Sequence, residues 1–104
     1  MSMWSEKVTE ALRASAAEFL AREAGPQSLI TVTRAEVSED GKQGRIYLSV
    51  LPEKAEAAAI DFANRQRKEL SMFFRKRIRG AFPPHFEFMI DPGEKLRHRL
   101  DELS

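Results

Sequence analysis

Through residues 5–24, apolar side chains return at every third or fourth position: Val8, Ala11, Leu12, Ala16, Phe19 and Leu20. That period predicts a one-sided amphipathic helix. Gly25-Pro26 ends it, because glycine suits the position after a helix and proline cannot continue one. The pattern then changes. Residues 29–38 are β-branched at Ile30, Thr31, Val32, Thr33 and Val37, which favours a strand. Glu39-Asp40-Gly41-Lys42 carries the Asp-Gly turn signal of a hairpin. Residues 45–51 alternate, with Ile46, Leu48 and Val50 on one face and Tyr47 and Ser49 on the other.

Pro52-Glu53 predicts a helix start, since proline fits a first turn and an acid suits the positive end of the dipole. Residues 53–79 contain neither glycine nor proline and are mostly good helix formers. The expected buried seam is Ala55, Ala59, Phe62, Ala63, Gln66, Leu70, Phe73 and Arg77 or Ile78. A straight rod of that length would reach about 40 Å, more than the mid-thirties expected of a compact domain this size. A bend or a protruding end is therefore expected. Gly80 closes the helix, and Pro83-Pro84 enforce extended chain before residues 85–90. There Phe86, Phe88 and Ile90 share a face. Asp91-Pro92-Gly93 turns the chain, and Leu96, Leu100 and Leu103 follow at helical spacing. The order α-β-β-α-β-α, with the long helix bent, is an α+β class, and residues 1–104 are expected to form one domain.

Composition narrows this. With 42% hydrophobic and 32% charged residues the chain reads as an ordinary soluble domain rather than a disordered one. No apolar run approaches the ~18 residues a bilayer requires. The opening Met1-Ser2-Met3-Trp4-Ser5-Glu6 lacks the pattern of a secretory signal. With no cysteine, a disulfide framework and thiolate metal sites are excluded. A cytoplasmic location is the expectation by elimination.

Charge changes the picture more. The net charge of +1 hides a strong polarity: Arg65, Arg67, Lys68, Arg75, Lys76, Arg77 and Arg79 crowd one stretch, opposed only by Glu69. That stretch carries +6, while residues 1–64 sum to −3 and residues 80–104 to −2. A polyanion would meet one basic helix on a mildly acidic body. At helical spacing Arg65, Lys68, Arg75 and Arg79 form a stripe with Arg67 and Lys76 at its margins. Arg77, nearest the apolar seam, is expected to be structural. Phe73 and Phe74 sit among arginines as base-stacking residues often do, yet adjacent helical positions can both flank one buried seam, and core packing is the simpler reading of Phe73 above all. Trp4 reads as a packing anchor, and Phe82, Phe86 and Phe88 as core. Catalysis has little to stand on. His85 and His98 are in no metal-ligand spacing, there is no nucleophile elbow or phosphate-cradling glycine loop, and the carboxylates of Glu36, Glu39, Asp40, Asp101 and Glu102 lie in turn and tail contexts. No cofactor and no metal are expected.

Four stretches, in order across nearly the whole chain, resemble a known family. They are Ile30-Thr31-Val32-Thr33-Arg34-Ala35-Glu36-Val37-Ser38, Ile46-Tyr47-Leu48-Ser49-Val50-Leu51, Pro84-His85-Phe86-Glu87-Phe88-Met89-Ile90-Asp91 and Arg99-Leu100-Asp101-Glu102-Leu103. The family is ribosome-binding factor A, which helps mature the bacterial small ribosomal subunit. The resemblance implies a KH-like (type II) fold, a three-stranded sheet with helices packed on one side. It implies binding to the immature 30S subunit and its 16S rRNA, without catalysis.

One departure stands out. KH domains that grip single strands use a Gly-x-x-Gly loop between two helices. The family replaces it by an Ala-x-Gly kink, and an ungapped comparison puts Gln66-Arg67-Lys68 there, with neither the alanine nor the glycine. Continuous helix is therefore expected, bending less sharply than in the family, somewhere between Asn64 and Ser71. The expected RNA contacts are Arg65, Arg67, Lys68, Arg75, Lys76 and Arg79, in a monomer that uses neither DNA nor a membrane. A KH-like module for other RNA, or a protein-interaction domain using an edge strand or the C-terminal helix, would be the alternatives.

Overall fold

The computed structural model describes residues 3–23, 29–78 and 83–93. The expected C-terminal helix with Leu96, Leu100 and Leu103 lies outside these residues, as do Arg79, Gly80 and Phe82. The elements are α1 (Met3–Glu23), β1 (Leu29–Val37), β2 (Gln43–Leu51), α2 (Glu56–Arg65), α3 (Arg67–Arg77) and β3 (His85–Ile90).

α1 buries the face its spacing predicts: Val8, Leu12, Ala16, Phe19 and Leu20 enter the core, and Ala11 packs at its edge. Ser15 lies on the same face, wholly buried, and its hydroxyl has no hydrogen-bond partner among the described residues. β1 and β2 form an antiparallel hairpin with Val32 opposite Leu48 and Ile30 opposite Val50. Between them Gly41 takes a φ of 75°, the left-handed region open to glycine at little cost. The Ser38 hydroxyl donates to Asp40 Oδ1 at 2.6 Å and the Lys42 amide donates to the same oxygen at 3.0 Å. Those two bonds, the hydroxyl's first, hold the Asp40 carboxyl below its ordinary range.

β3 lies parallel to β2, giving the order β1-β2-β3, with Phe88 beside Ile46 and Ile90 beside Leu48. A parallel neighbour needs a long crossover, and α2 and α3 supply it. Ile46, Leu48, Val50, Phe86 and Phe88 share one buried cluster with residues of all three helices, so the helices cover a single sheet face. Each large side chain fully buried there is worth about 1.5–3 kcal/mol. This α+β architecture is consistent with the KH-like arrangement.

The opposite face carries no helix among the described residues. At Thr33 the β1 register shifts, a bulge that turns Arg34 onto this outer face. Its guanidinium lies 4.0 Å from the centre of the Tyr47 ring and 3.5 Å from Asp91 Oδ2. Asp91 is itself buried, accepting from the Thr33 hydroxyl at 2.7 Å and the Gly93 amide at 2.9 Å. A residue read from sequence as part of a turn thus ties β3 to β1 across the central strand.

The long helix departs from expectation. Residues 53–55 form a short 3₁₀ turn, the helix then stops at Arg65, and Gln66 takes φ −95° and ψ 5° before α3 begins. The break falls inside the window expected for a bend, but it is a step of non-helical backbone rather than continuous helix. The cause is packing: α2 lies against β3 while α3 turns to α1, and one straight rod could not meet both. Ala59 and Ala63 then bury in one direction and Leu70 and Phe74 in the other. α3 also ends earlier than expected, with Ile78 already extended at φ −122°.

Candidate nucleic-acid interface

The break decides where the cations go. The Gln66 side chain makes no capping hydrogen bond at the start of α3; its amide donates to the Ala63 carbonyl at 3.0 Å and its carbonyl accepts from Leu70 at 2.9 Å. The Asn64 carbonyl is met instead by Arg67, whose Nε donates to it at 3.2 Å. Arg67 is half-buried, with its Nε held by that bond. Arg65, last in α2, is well exposed, with Nε 3.4 Å from the Asp61 carbonyl and Nη2 4.0 Å from the Asp61 carboxylate. Pairing at that range and exposure contributes little. Lys68 follows in the first turn of α3, fully on the surface.

These three cations line one open cleft of about 380 Å³ between the break and the start of β3. Asn64, Ser71, Pro84, His85 and Phe86 complete its walls. Ser71 stands beside Arg67 by helical spacing alone, but Pro84, His85 and Phe86 come from a segment more than a dozen residues further on, which spacing could not place here.

The remaining expected contacts divide. Arg75 is exposed two turns beyond Lys68 on the same side of α3. Lys76 is exposed on another side, toward α1. Arg79 lies outside the described residues. Arg77 Nη1 donates to Glu18 Oε2 of α1 at 2.7 Å, an ion pair that joins α3 to α1, in keeping with the structural role expected of it. The two phenylalanines exchange places relative to expectation: Phe74 is wholly buried and Phe73 only partly, its ring 6.0 Å from that of Phe19. From Leu70 both the third and fourth positions onward face inward, and the fourth is the more deeply buried. Among the described residues, no group of three or more His, Asp or Glu could hold a metal ion, and no helix is long and apolar enough to cross a membrane.

A mixed three-stranded sheet, helices on one face, and a broken crossover helix with a basic cleft at the break define a small α+β domain built to present cations at a helix end. The chain belongs to the ribosome-binding factor A family, whose sequence pattern it matches over residues 4–104. It is 30% identical over 109 residues to ribosome-binding factor A of Chlorobaculum parvum, spanning 99% of this chain and 89% of that protein. It is likewise 30% identical over 108 residues to the Halorhodospira halophila protein, spanning 96% and 86%. The crystal structure of ribosome-binding factor A from Thermus thermophilus superposes with a TM-score of 0.72 at 24% identity, covering 83% of this chain and 94% of that one. Coordinates of the same Thermus protein, fitted into a cryo-EM map of its complex with the 30S subunit, give 0.67 at 24% identity, covering 86% and 93%. These two likenesses are of fold.

Proposed function

We propose that this chain is a non-catalytic assembly factor that docks on the 16S rRNA of the immature 30S subunit through the cleft at the helix break and the basic surface of α3. The observation that carries the reading is the convergence of Arg65, Arg67 and Lys68 on one cleft, with Arg75 beyond it, in a helix pair that concentrates the positive charge of the chain. Family membership supports it, and a related Thermus protein is seen on the 30S subunit. Arg79, outside the described residues, is retained as an RNA contact from the sequence alone, and Lys76 forms the margin of the basic surface. The protein acts in the cytoplasm as a monomer, without cofactor, DNA or membrane. Its mechanism is differential binding: it holds an rRNA conformation present before maturation and leaves when the mature subunit no longer offers the same phosphates.

Four or five phosphate contacts give a slope of log affinity against log salt of roughly −3 to −4.5. Co-sedimentation of the tagged protein with small subunits at graded salt measures it. Arg65→Glu, Lys68→Glu and Arg75→Glu together should abolish association while leaving the melting temperature nearly unchanged, because exposed charges contribute little to folding. A triple variant that sediments like wild type, or a flat salt dependence, removes the basic surface from consideration and favours a protein partner.

A further inference from the structure

Among the described residues four large apolar side chains stand exposed: Leu29, Leu51, Met72 and Met89. The first two and Met89 belong to strands. Met72 is on α3, 55% exposed, at the edge of a second open groove of about 200 Å³ between α1 and α3. The Phe19 and Phe73 rings, tilted by 57° to one another, form its floor. Arg22, from the last turn of α1, and Lys76 stand on its rim, with Glu69 the one acid there. At ~100° per residue this side of α3 lies about a third of a turn round from Lys68, Ser71 and Arg75.

Resting on the RNA reading above, we propose that this groove takes one unpaired nucleotide of the bound RNA, its base against Met72 and Phe73 and its flanking phosphates on Arg22 and Lys76. An apolar floor alone would suit any partner. The two cations that line it along with the apolar side chains select a chain that alternates flat faces with negative charge, which is the pattern of single-stranded nucleic acid. Glu69 repels a further phosphate and limits the groove to a single nucleotide. Together with the cleft at the helix break, the groove makes α3 a ridge that the RNA wraps, so a duplex could occupy the cleft but not the groove.

The test is fluorescence anisotropy of the full chain with a short fluorescein-labelled single-stranded RNA and with the same sequence closed into a duplex. Wild type should prefer the single strand. Met72→Ala should weaken single-strand binding about fivefold or more while leaving duplex binding unchanged; its melting curve, expected to match wild type for so exposed a side chain, shows that it folds. Arg22→Glu should weaken single-strand binding and Glu69→Gln should strengthen it. If Lys68→Glu weakens binding while Met72→Ala and Arg22→Glu do not, the groove inference is overturned and the RNA reading stands. A wild-type protein that binds neither RNA overturns both. If Met72→Ala lowers association with the 30S subunit but not with free single strands, the groove is a protein contact and the inference fails.

Discussion

Ser15→Ala should make this protein more stable, which few single substitutions do. Ser15 is wholly buried, and its Oγ has no partner among the described residues. An unpaired hydroxyl there costs about 1–2 kcal/mol of lost hydration. Alanine also exceeds serine in helix propensity by about 0.5 kcal/mol. The two terms have the same sign and sum to about 1.5–2.5 kcal/mol. For a chain of this size, at about 4 °C per kcal/mol, the melting temperature should rise by about 6–10 °C. Circular dichroism melts supply the reading, and urea titration with an unchanged slope would confirm that the native state is what gained. Ser15→Val, which asks for volume the site lacks, should destabilise by about 1–3 kcal/mol. A melting temperature that stays level or falls in Ser15→Ala would mean that the hydroxyl is paired in solution.

Phe74→Ala should cost about 3–5 kcal/mol in urea denaturation and Phe73→Ala less than about half of that, since only Phe74 is sealed from solvent; the reverse ranking would restore the seam first read from the sequence. Asp40 should titrate below an ordinary aspartate in carbon-detected NMR, and Ser38→Ala should move it back up. Because the folded carboxyl is the stronger acid, its contribution is present above the unfolded pKa and fades as pH falls through the folded one. Identical Asp40 curves in the two proteins would remove the Ser38 hydroxyl as the cause.

The hairpin, the parallel third strand's inward face and the first helix were all legible because each rests on a period within one segment. Ile46, Leu48 and Val50 needed only their own alternation. The break at Gln66 was legible in place, from the comparison with the family's kink, but not in kind: no local signal stops a helix at Arg65-Gln66-Arg67, and only the separate demands of β3 and α1 do so. The same limit explains the cleft. Its cations were visible as a charge run, but their meeting with Pro84, His85 and Phe86 follows from a crossover that no window spans. Asp91 was hidden for another reason, since Asp-Pro-Gly announces a turn so strongly that a second role for the carboxylate leaves no trace. Arg34 over Tyr47 depends on a bulge, and strict alternation would have put Thr33 in its place.

The Thr33–Asp91 bond also bears on the order in which the chain can assemble. β1 and β2 close over a handful of residues, whereas β3 must find β2 after the whole helical crossover, with Gln43 beside His85. Such a pairing bears most of the loop-closure entropy of the fold before any contact rewards it. The carboxylate of Asp91 then acts as a latch, fastening the last-arriving strand to the first-formed hairpin rather than to its immediate neighbour alone. On this account Phe88→Leu should leave the folding rate nearly untouched and speed unfolding, a φ-value near zero, while Val32→Ala in the hairpin should slow folding. A high φ-value at Phe88 would mean that the third strand is in place while the barrier is being crossed, and that the latch closes early.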